Sequence, residues 1–389
     1  MKKLFFYLAA LFFTSAVMAQ NNGPINTSVR HKMAVFTPLY LDDAFSGDTY
    51  RFSSKSFPKN SIQGLEFYHG VTMAVDSLNK QNVPLDIYVY DSRSGSETIE
   101  QQFSKCAADG VELILANVTM GELGRLAKLA ADKKITLINA TVPNDANTTD
   151  NPYFVIVNPT LGTQVEGLYQ HIKNNYKGQE VIVFTHKGGT SEEYIKGAFD
   201  VLNTSKAVPI KYVQIGDTAA VSRAIYALDK NKPALFVSGS LDNSFADNVL
   251  TRAALESANF PKVTVFGMPT WENISMSKSG YKGVEIVYGS PFHRTGGQSA
   301  ASAISSSYNK KMYSRPSDLV YRAFGLTYKF GHLLNKYGKT MNENLVDRSF
   351  PMFYNYDIRP VYQNGKLAYY ENKKLYFLKY FNGSLQQVM

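Results

Sequence analysis

The sequence predicts an α/β protein made of two doubly wound parallel-sheet units, and three observations carry that reading. Short apolar runs rich in β-branched and aromatic residues alternate with helical patterns, which calls for parallel strands covered on both faces. The alternation runs through two successive series, each of about a domain's length within the 389 residues. The composition allows two cores, with 44% of residues hydrophobic and only 19% charged.

The first strand is read at 33–39 (MAVFTPL). A long polar loop, 41–61, precedes a helix whose face carries Ile62, Leu65, Tyr68, Met73, Val75 and Leu78. Strand 85–90 (LDIYVY), helix 99–108, strand 111–116, helix 120–132 and strand 135–138 follow. Helix 120–132 is the best marked: Thr119 and Glu122 form a T-x-x-E capping box, and Leu123, Leu126, Ala127 and Ala130 share one face.

The second series has strands at 153–157, 181–185, 210–214, 234–237 and 263–266. Helices at 162–175, 192–202, 219–228 and 244–257 lie between them. One more strand, 284–288, leads to helices at 299–311 and 318–337. From Phe350 onward, aromatic-rich runs are punctuated by Asn364-Gly365, Glu371-Asn372 and Asn382-Gly383. These are hairpin signals, and the strands they join are expected as antiparallel additions to an existing sheet.

Residues 1–19 carry the basic, apolar and small-residue parts of a secretory signal, with cleavage expected after Ala19. The apolar run is too short to span a membrane comfortably. Residues 20–32 read as a flexible leader. Loss of Lys2 and Lys3 takes the formal charge from +9 to +7, scattered and without a basic block for nucleic acid. The single cysteine, Cys106, can form no internal disulfide and reads as a core thiol. The mature chain is expected in the periplasm, without membrane insertion and as a monomer.

Candidate site residues come from the strand ends, because ligands of doubly wound sheets bind beyond the carboxyl ends of the strands. Asn117 and Thr119 end one strand; Asn139, Ala140 and Thr141 end the next. Thr119 serves as an N-cap, with or without a ligand contact, and Thr141 as a turn hydroxyl or a contact. The second series ends its strands in HKGGTS (186–191), Ser238-Gly239-Ser240, and Met268-Pro269-Thr270-Trp271. HKGGTS lacks the Gly-Lys-Ser/Thr order of a phosphate loop and reads as a turn into a helix capped by Ser191. Trp271, the only tryptophan, either stacks on a ligand or buries its loop.

Several stretches together resemble the type I periplasmic solute-binding proteins, specifically the branched-chain amino-acid receptor group. They are MAVFTPL, GLEFYHGVTMAVDSLN before LDIYVYDSRS, GVELILANVT, ITLINAT followed by NPYFVIVNP, and RPSDLVYRAFGLTYKFGHLL. The resemblance implies two lobes joined by three crossings and closing over a small ligand. Lobe one would hold 33–157 and 283–337; lobe two would hold 158–282 and 338–389. First-lobe contacts would fall at Thr119 and Met120, at Ala140, Thr141 and Val142, and on a wall reaching Phe45. Second-lobe contacts would fall at Tyr194, Ser238, Ser240, Thr270 and Trp271. The Tyr-Gly pair and the acidic residue of that group have no match in place. Tyr194 is displaced, and Glu272 lies only near the acidic position, with Asp242 and Asp42 as other candidates for a ligand ammonium.

Among the six histidines none has metal-ligand spacing, and no Gly-x-Ser-x-Gly elbow occurs. No enzyme, metal or cofactor is expected. The resemblance implies a receptor for a small polar solute, an amino acid or related metabolite, serving an ABC-type permease. The alternative is an envelope scaffold or regulator that keeps the fold without a small ligand.

Overall fold

The computed structural model describes residues 30–52, 58–217 and 219–388. The expected signal peptide and most of the leader lie outside the described residues. The leader's end is strand, since the first strand already begins at His31.

The first series consists of β1 (His31–Thr37), α1 (Leu41–Ala44), the small hairpin β2 (Phe45–Ser46) and β3 (Thr49–Tyr50), α2 (Ile62–Lys80), β4 (Leu85–Asp91), α3 (Ile99–Ala108), β5 (Leu113–Ala116), α4 (Met120–Lys133), β6 (Thr136–Asn139) and β7 (Phe154–Ile156). The second consists of α5 (Leu161–Asn175), β8 (Val181–His186), α6 (Thr190–Leu202), β9 (Ile210–Ile215), α7 (Ala219–Tyr226), β10 (Ala234–Ser238), α8 (Asn243–Glu256), β11 (Val263–Gly267) and β12 (Val284–Ser290). After them come α9 (Gln298–Met312), α10 (Asp318–Tyr337) and four strands: β13 (Ile358–Gln363), β14 (Lys366–Asn372), β15 (Tyr376–Phe381) and β16 (Ser384–Val388).

Two seven-stranded sheets result, in the orders β13-β14-β7-β6-β5-β1-β4 and β16-β15-β12-β11-β10-β8-β9. In the first sheet β1 lies between β4 and β5, and in the second β8 lies between β9 and β10, all parallel. That reversal of order opens a crevice at the carboxyl ends of β1 and β5, and another at those of β8 and β10. Along β1, Met33 and Val35 enter the core on one face of the sheet, Ala34 and Phe36 the core on the other. This period-two burial on both faces is what a continuously apolar parallel strand provides.

Helix α10 closes the first lobe against α2. A Cβ at Gly70 would sit 2.3 Å from the Val320 carbonyl oxygen, so the crossing depends on that glycine. Cys106 is fully buried, and burial pushes its thiol pKa up to about 12, consistent with a core role.

Lobe boundaries differ from the expectation in two places. Strand β12, assigned with 283–337 to lobe one, pairs with β11 in the second sheet. The C-terminal strands do not stay together: β14 extends the first sheet through β7, whereas β15 extends the second through β12. Tyr369 stacks edge-on against Phe154 in one core while Leu378 enters the other, so packing partners divide two hairpins of the same composition. Asn364-Gly365 and Asn382-Gly383 are the hairpin turns, with positive φ at both residues of each. Glu371-Asn372 is not a turn: it ends β14 and begins a crossing. The chain thus passes between lobes near 157–160, 290–298 and 372–376.

Candidate functional site

The first crevice is closed by its own side chains. Asn117 donates from Nδ2 to Thr37 Oγ1 (3.0 Å) and accepts at Oδ1 from Thr141 Oγ1 (3.1 Å). Thr37 in turn donates to the Gly64 carbonyl (3.4 Å). One chain of hydrogen bonds therefore ties the ends of β1, β5 and β6 to α2. Asn139 holds the following loop, donating to the Val142 carbonyl (2.7 Å) and accepting from the Val142 N–H (3.0 Å). Buried polar groups at strand ends need partners of this kind.

This accounting revises several expected contacts. Ala140 is fully buried and its N–H donates to Ala116, so neither its side chain nor its amide faces the crevice. The Val142 amide is likewise committed to Asn139. The Thr119 hydroxyl and N–H both donate to Glu122 Oε2, each at 2.7 Å, which is the reach-back half of the capping box. Met120 and Phe45 are exposed at the rim, where Phe45 packs on Tyr50 with ring centroids 5.4 Å apart.

Acidic residues knit the rim loops together. Asp91 accepts the N–H groups of Leu39 (2.8 Å), Tyr40 (3.1 Å), Leu41 (2.7 Å) and Arg93 (3.0 Å). Asp42 accepts from Gly95 N–H (2.7 Å), the Ser94 hydroxyl (2.9 Å) and Ser96 N–H (3.3 Å), and these bonds, led by Gly95, hold its carboxyl below the ordinary value. Asp42 is thus spent on its own lobe. Arg93, on the loop after β4, lies with Nε 3.5 Å from Glu122 Oε1 on α4. This ion pair joins the loop after β4 to α4.

In the second lobe, the crevice between β8 and β10 is closed by a carboxylate. Glu192, on the first turn of α6, accepts from the Ser240 hydroxyl and from Ser191 Oγ (2.7 Å). Burial opposes its charge, but the Ser240 and Ser191 bonds prevail and its pKa lies below the ordinary value. A Cβ at Gly189 would strike this carboxylate at 2.0 Å. The helix cap is Gly189 rather than Ser191, whose hydroxyl turns to Glu192 instead. Ser238 and Ser240 are fully buried and present no side chain to a ligand; the Ser238 hydroxyl has no partner among the described residues. Asp242 caps α8, accepting from Ser244 N–H (2.6 Å) and Phe245 N–H (3.3 Å).

Trp271 buries its loop. It is fully enclosed in the second lobe's core and lies so close on Gly267 that a Cβ there would meet its indole at 2.0 Å. Stacking on a ligand is closed to it, and Thr270 Oγ1 beside it is buried without a partner among the described residues.

Two second-lobe groups do face the first lobe. Tyr194 is exposed on α6, and burial, with the Asp145 and Glu371 carboxylates nearby, raises its phenol pKa. Glu272 keeps solvent-accessible surface although protein closes around it, as in a cleft wall. Partial desolvation raises its pKa, against the Ser290 hydroxyl that donates to it and the charge of Arg322 on α10. Arg322 lies 3.4 Å over the Phe292 ring and pairs with Asp318 at 3.3 Å. A cavity of about 480 Å³ opens alongside, lined by Phe292, His293, Arg294 and Asp318.

The crossings are laced to one another. Glu371 of β14 is buried and accepts from Thr160 N–H and Oγ1, both at 2.8 Å, at the cap of α5, and it pairs with Lys373 at 2.5 Å. Asn372 donates to the Val157 carbonyl (3.2 Å) and accepts from Asp357 N–H (2.9 Å) and Lys374 N–H (3.1 Å). Among the described residues, no cluster of His, Cys, Asp or Glu suits a metal ion, and no helix is long and apolar enough to cross a membrane.

Comparison with known proteins places this architecture. A branched-chain amino-acid ABC transporter binding protein from Burkholderia xenovorans LB400 shares the fold with a TM-score of 0.60 at 12% identity, over 92% of this chain and 95% of that one. A putative branched-chain amino-acid ABC transporter protein from Rhodospirillum rubrum reaches 0.65 at 12% identity, over 92% and 100%. The C-domain of LpoA from Haemophilus influenzae, a regulator of PBP1A, has the same fold with a TM-score of 0.57 at 12% identity, over 92% and 100%. No curated protein matches the sequence. The profile of the periplasmic binding protein family matches residues 59–349, three quarters of the sequence, and the chain belongs to that family.

Proposed function

We propose that the protein is an exported solute-binding receptor whose lobes close over a small polar ligand, an amino acid or related metabolite, and deliver it to an ABC-type permease. Glu272 carries this reading: it is a cleft carboxylate facing the other lobe with a single side-chain donor, Ser290. A ligand ammonium leaves water only against such a group. Met120 and Phe45 in the first lobe, with Tyr194 in the second, complete the surface we assign to the ligand. The signal is removed near Ala19, and the mature chain works as a monomer in the periplasm.

A thermal-shift screen of the mature protein against amino acids, short peptides, sugars and nucleotides tests the reading. A ligand at a hundred times its Kd adds about 2.7 kcal/mol and raises Tm visibly. Silence across the panel, with native mass spectrometry also showing no adduct, overturns it. A scaffold or envelope regulator is the second reading. Its support is the internal commitment of the Thr119 and Thr141 hydroxyls, together with the fold shared with the LpoA C-domain.

A further inference from the structure

A second hollow lies apart from the two crevices. The cavity of about 480 Å³ is walled by the crossing near 290–298 and by α9 and α10, and none of the residues that close either crevice lines it. Its size is that of a small-molecule site and far exceeds a bare oxyanion. Arg294 lines it from the crossing, with its guanidinium carbon 4.2 Å from the centre of the Tyr321 ring on α10. Stacking of this kind occupies the face of the guanidinium and leaves its in-plane N–H donors unspent. Among the described residues those donors meet no acceptor. On α9, Gln298, Ser302 and Ser305 recur at helical spacing along the cavity side, and their side chains have no hydrogen-bond partner among the described residues either. The one carboxylate in the lining, Asp318, is already taken: it accepts from Tyr354 Oη (2.7 Å) and pairs with Arg322 at 3.3 Å.

We infer that this cavity is a second ligand site, for an acidic monosaccharide whose oxyanion is held by Arg294 and whose hydroxyls are held by Gln298, Ser302 and Ser305. The site goes beyond the receptor reading, which rests on Glu272 and the opposite jaw. An anion is selected because the lining holds an uncommitted guanidinium and no uncommitted carboxylate. An amino acid does not suit it, since its ammonium would find no free carboxylate. Hydroxyl and amide side chains both donate and accept, which is what a sugar hydroxyl asks of its partners. Arginine's planar fork meets a carboxylate or a phosphate with two parallel bonds, so a uronate and a sugar phosphate share the chemistry.

Titration calorimetry of the mature wild-type protein with D-glucuronate, D-glucose 6-phosphate, D-glucose and inorganic phosphate tests the inference. At least one of the acidic sugars is expected to bind about tenfold or more tighter than D-glucose, because a charge-assisted contact is at stake. Which of the two binds tighter tells a carboxylate ligand from a phosphate one. Arg294→Gln is expected to weaken that sugar by about tenfold or more, and Ser302→Ala and Ser305→Ala by about threefold each. Arg294→Lys, which keeps the charge without the fork, is expected to fall between wild type and Arg294→Gln. The Arg294 side chain is exposed and its one contact is the Tyr321 ring, and melting curves of the unliganded variants separate lost binding from lost fold. D-Glucose or inorganic phosphate binding as tightly as the acidic sugars overturns the inference. So does unchanged acidic-sugar affinity in Arg294→Gln, and so does the absence of heat with all four probes. None of these outcomes touches the receptor reading, which Glu272 carries and amino-acid binding tests.

Discussion

At the crevice of the first lobe the strand ends are closed by neutral amides and hydroxyls, Thr37, Asn117 and Thr141, whereas in the second the closure is a charged carboxylate, Glu192, held by two serines. Both satisfy buried polar atoms, yet they respond differently to pH. Asn117 has no charge to lose. Glu192 contributes only while ionised. Within the second lobe a further contrast appears: Glu192 is sealed by donors and its pKa is lowered, while Glu272 has one side-chain donor and its pKa is raised. Desolvation prevails at Glu272, whereas at Glu192 the two serine hydrogen bonds outweigh it.

The comparison can be broken most severely at the apolar anchor of the second lobe. Trp271→Ala removes a fully buried indole and is expected to cost about 3–5 kcal/mol, measured by urea unfolding, with the Glu272 loop loosened and solute affinity reduced. Retained stability would mean that the loop is anchored elsewhere. Next in size is Asn117→Ala, which strands the Thr37 and Thr141 hydroxyls and is expected to cost about 2–3 kcal/mol, equally at pH 7 and pH 4. A strong pH dependence there would point to a hidden charge in the first crevice.

Glu192→Gln is expected to cost about 1–2 kcal/mol at pH 7. Because the folded pKa lies below the unfolded value of 4.5, the wild-type advantage is present above that value and fades as pH falls through the folded one. The gap between variant and wild type should therefore close in acid. Smallest is Glu272→Gln. Its folded pKa is raised, so ionisation weakens folding as pH rises above 4.5, and the variant should melt slightly higher at pH 7 while binding solute less well. A lower Tm at pH 7 would show the carboxylate to be structural.

Much of the fold was legible, because long parallel strands announce themselves by unbroken apolar runs, and α4 by its Thr119/Glu122 box and its apolar face. The division of the C-terminal strands was not. Asn364-Gly365 and Asn382-Gly383 mark turns locally, but nothing local tells whether Tyr369 or Leu378 will meet Phe154; that depends on surfaces 200 residues away in the chain. Site residues were legible by position and less so by role. Thr119, Asn117 and Thr141 do stand at the crevice, but their hydrogen-bonding capacity is largely taken by neighbours that only the fold brings near.

The split of the last four strands has a consequence for when each lobe can be finished. A chain leaving a translocation channel presents its N-terminal end first. The first sheet lacks β13 and β14 until residues 358–372 have emerged, and the second lacks β15 and β16 until 376–388 follow. The first sheet reaches full width at residue 372 and the second only 16 residues later, at 388. Both edges are sealed only once residues 358–388 have emerged, and a truncation before residue 358 leaves two unfinished sheet edges rather than one missing appendage.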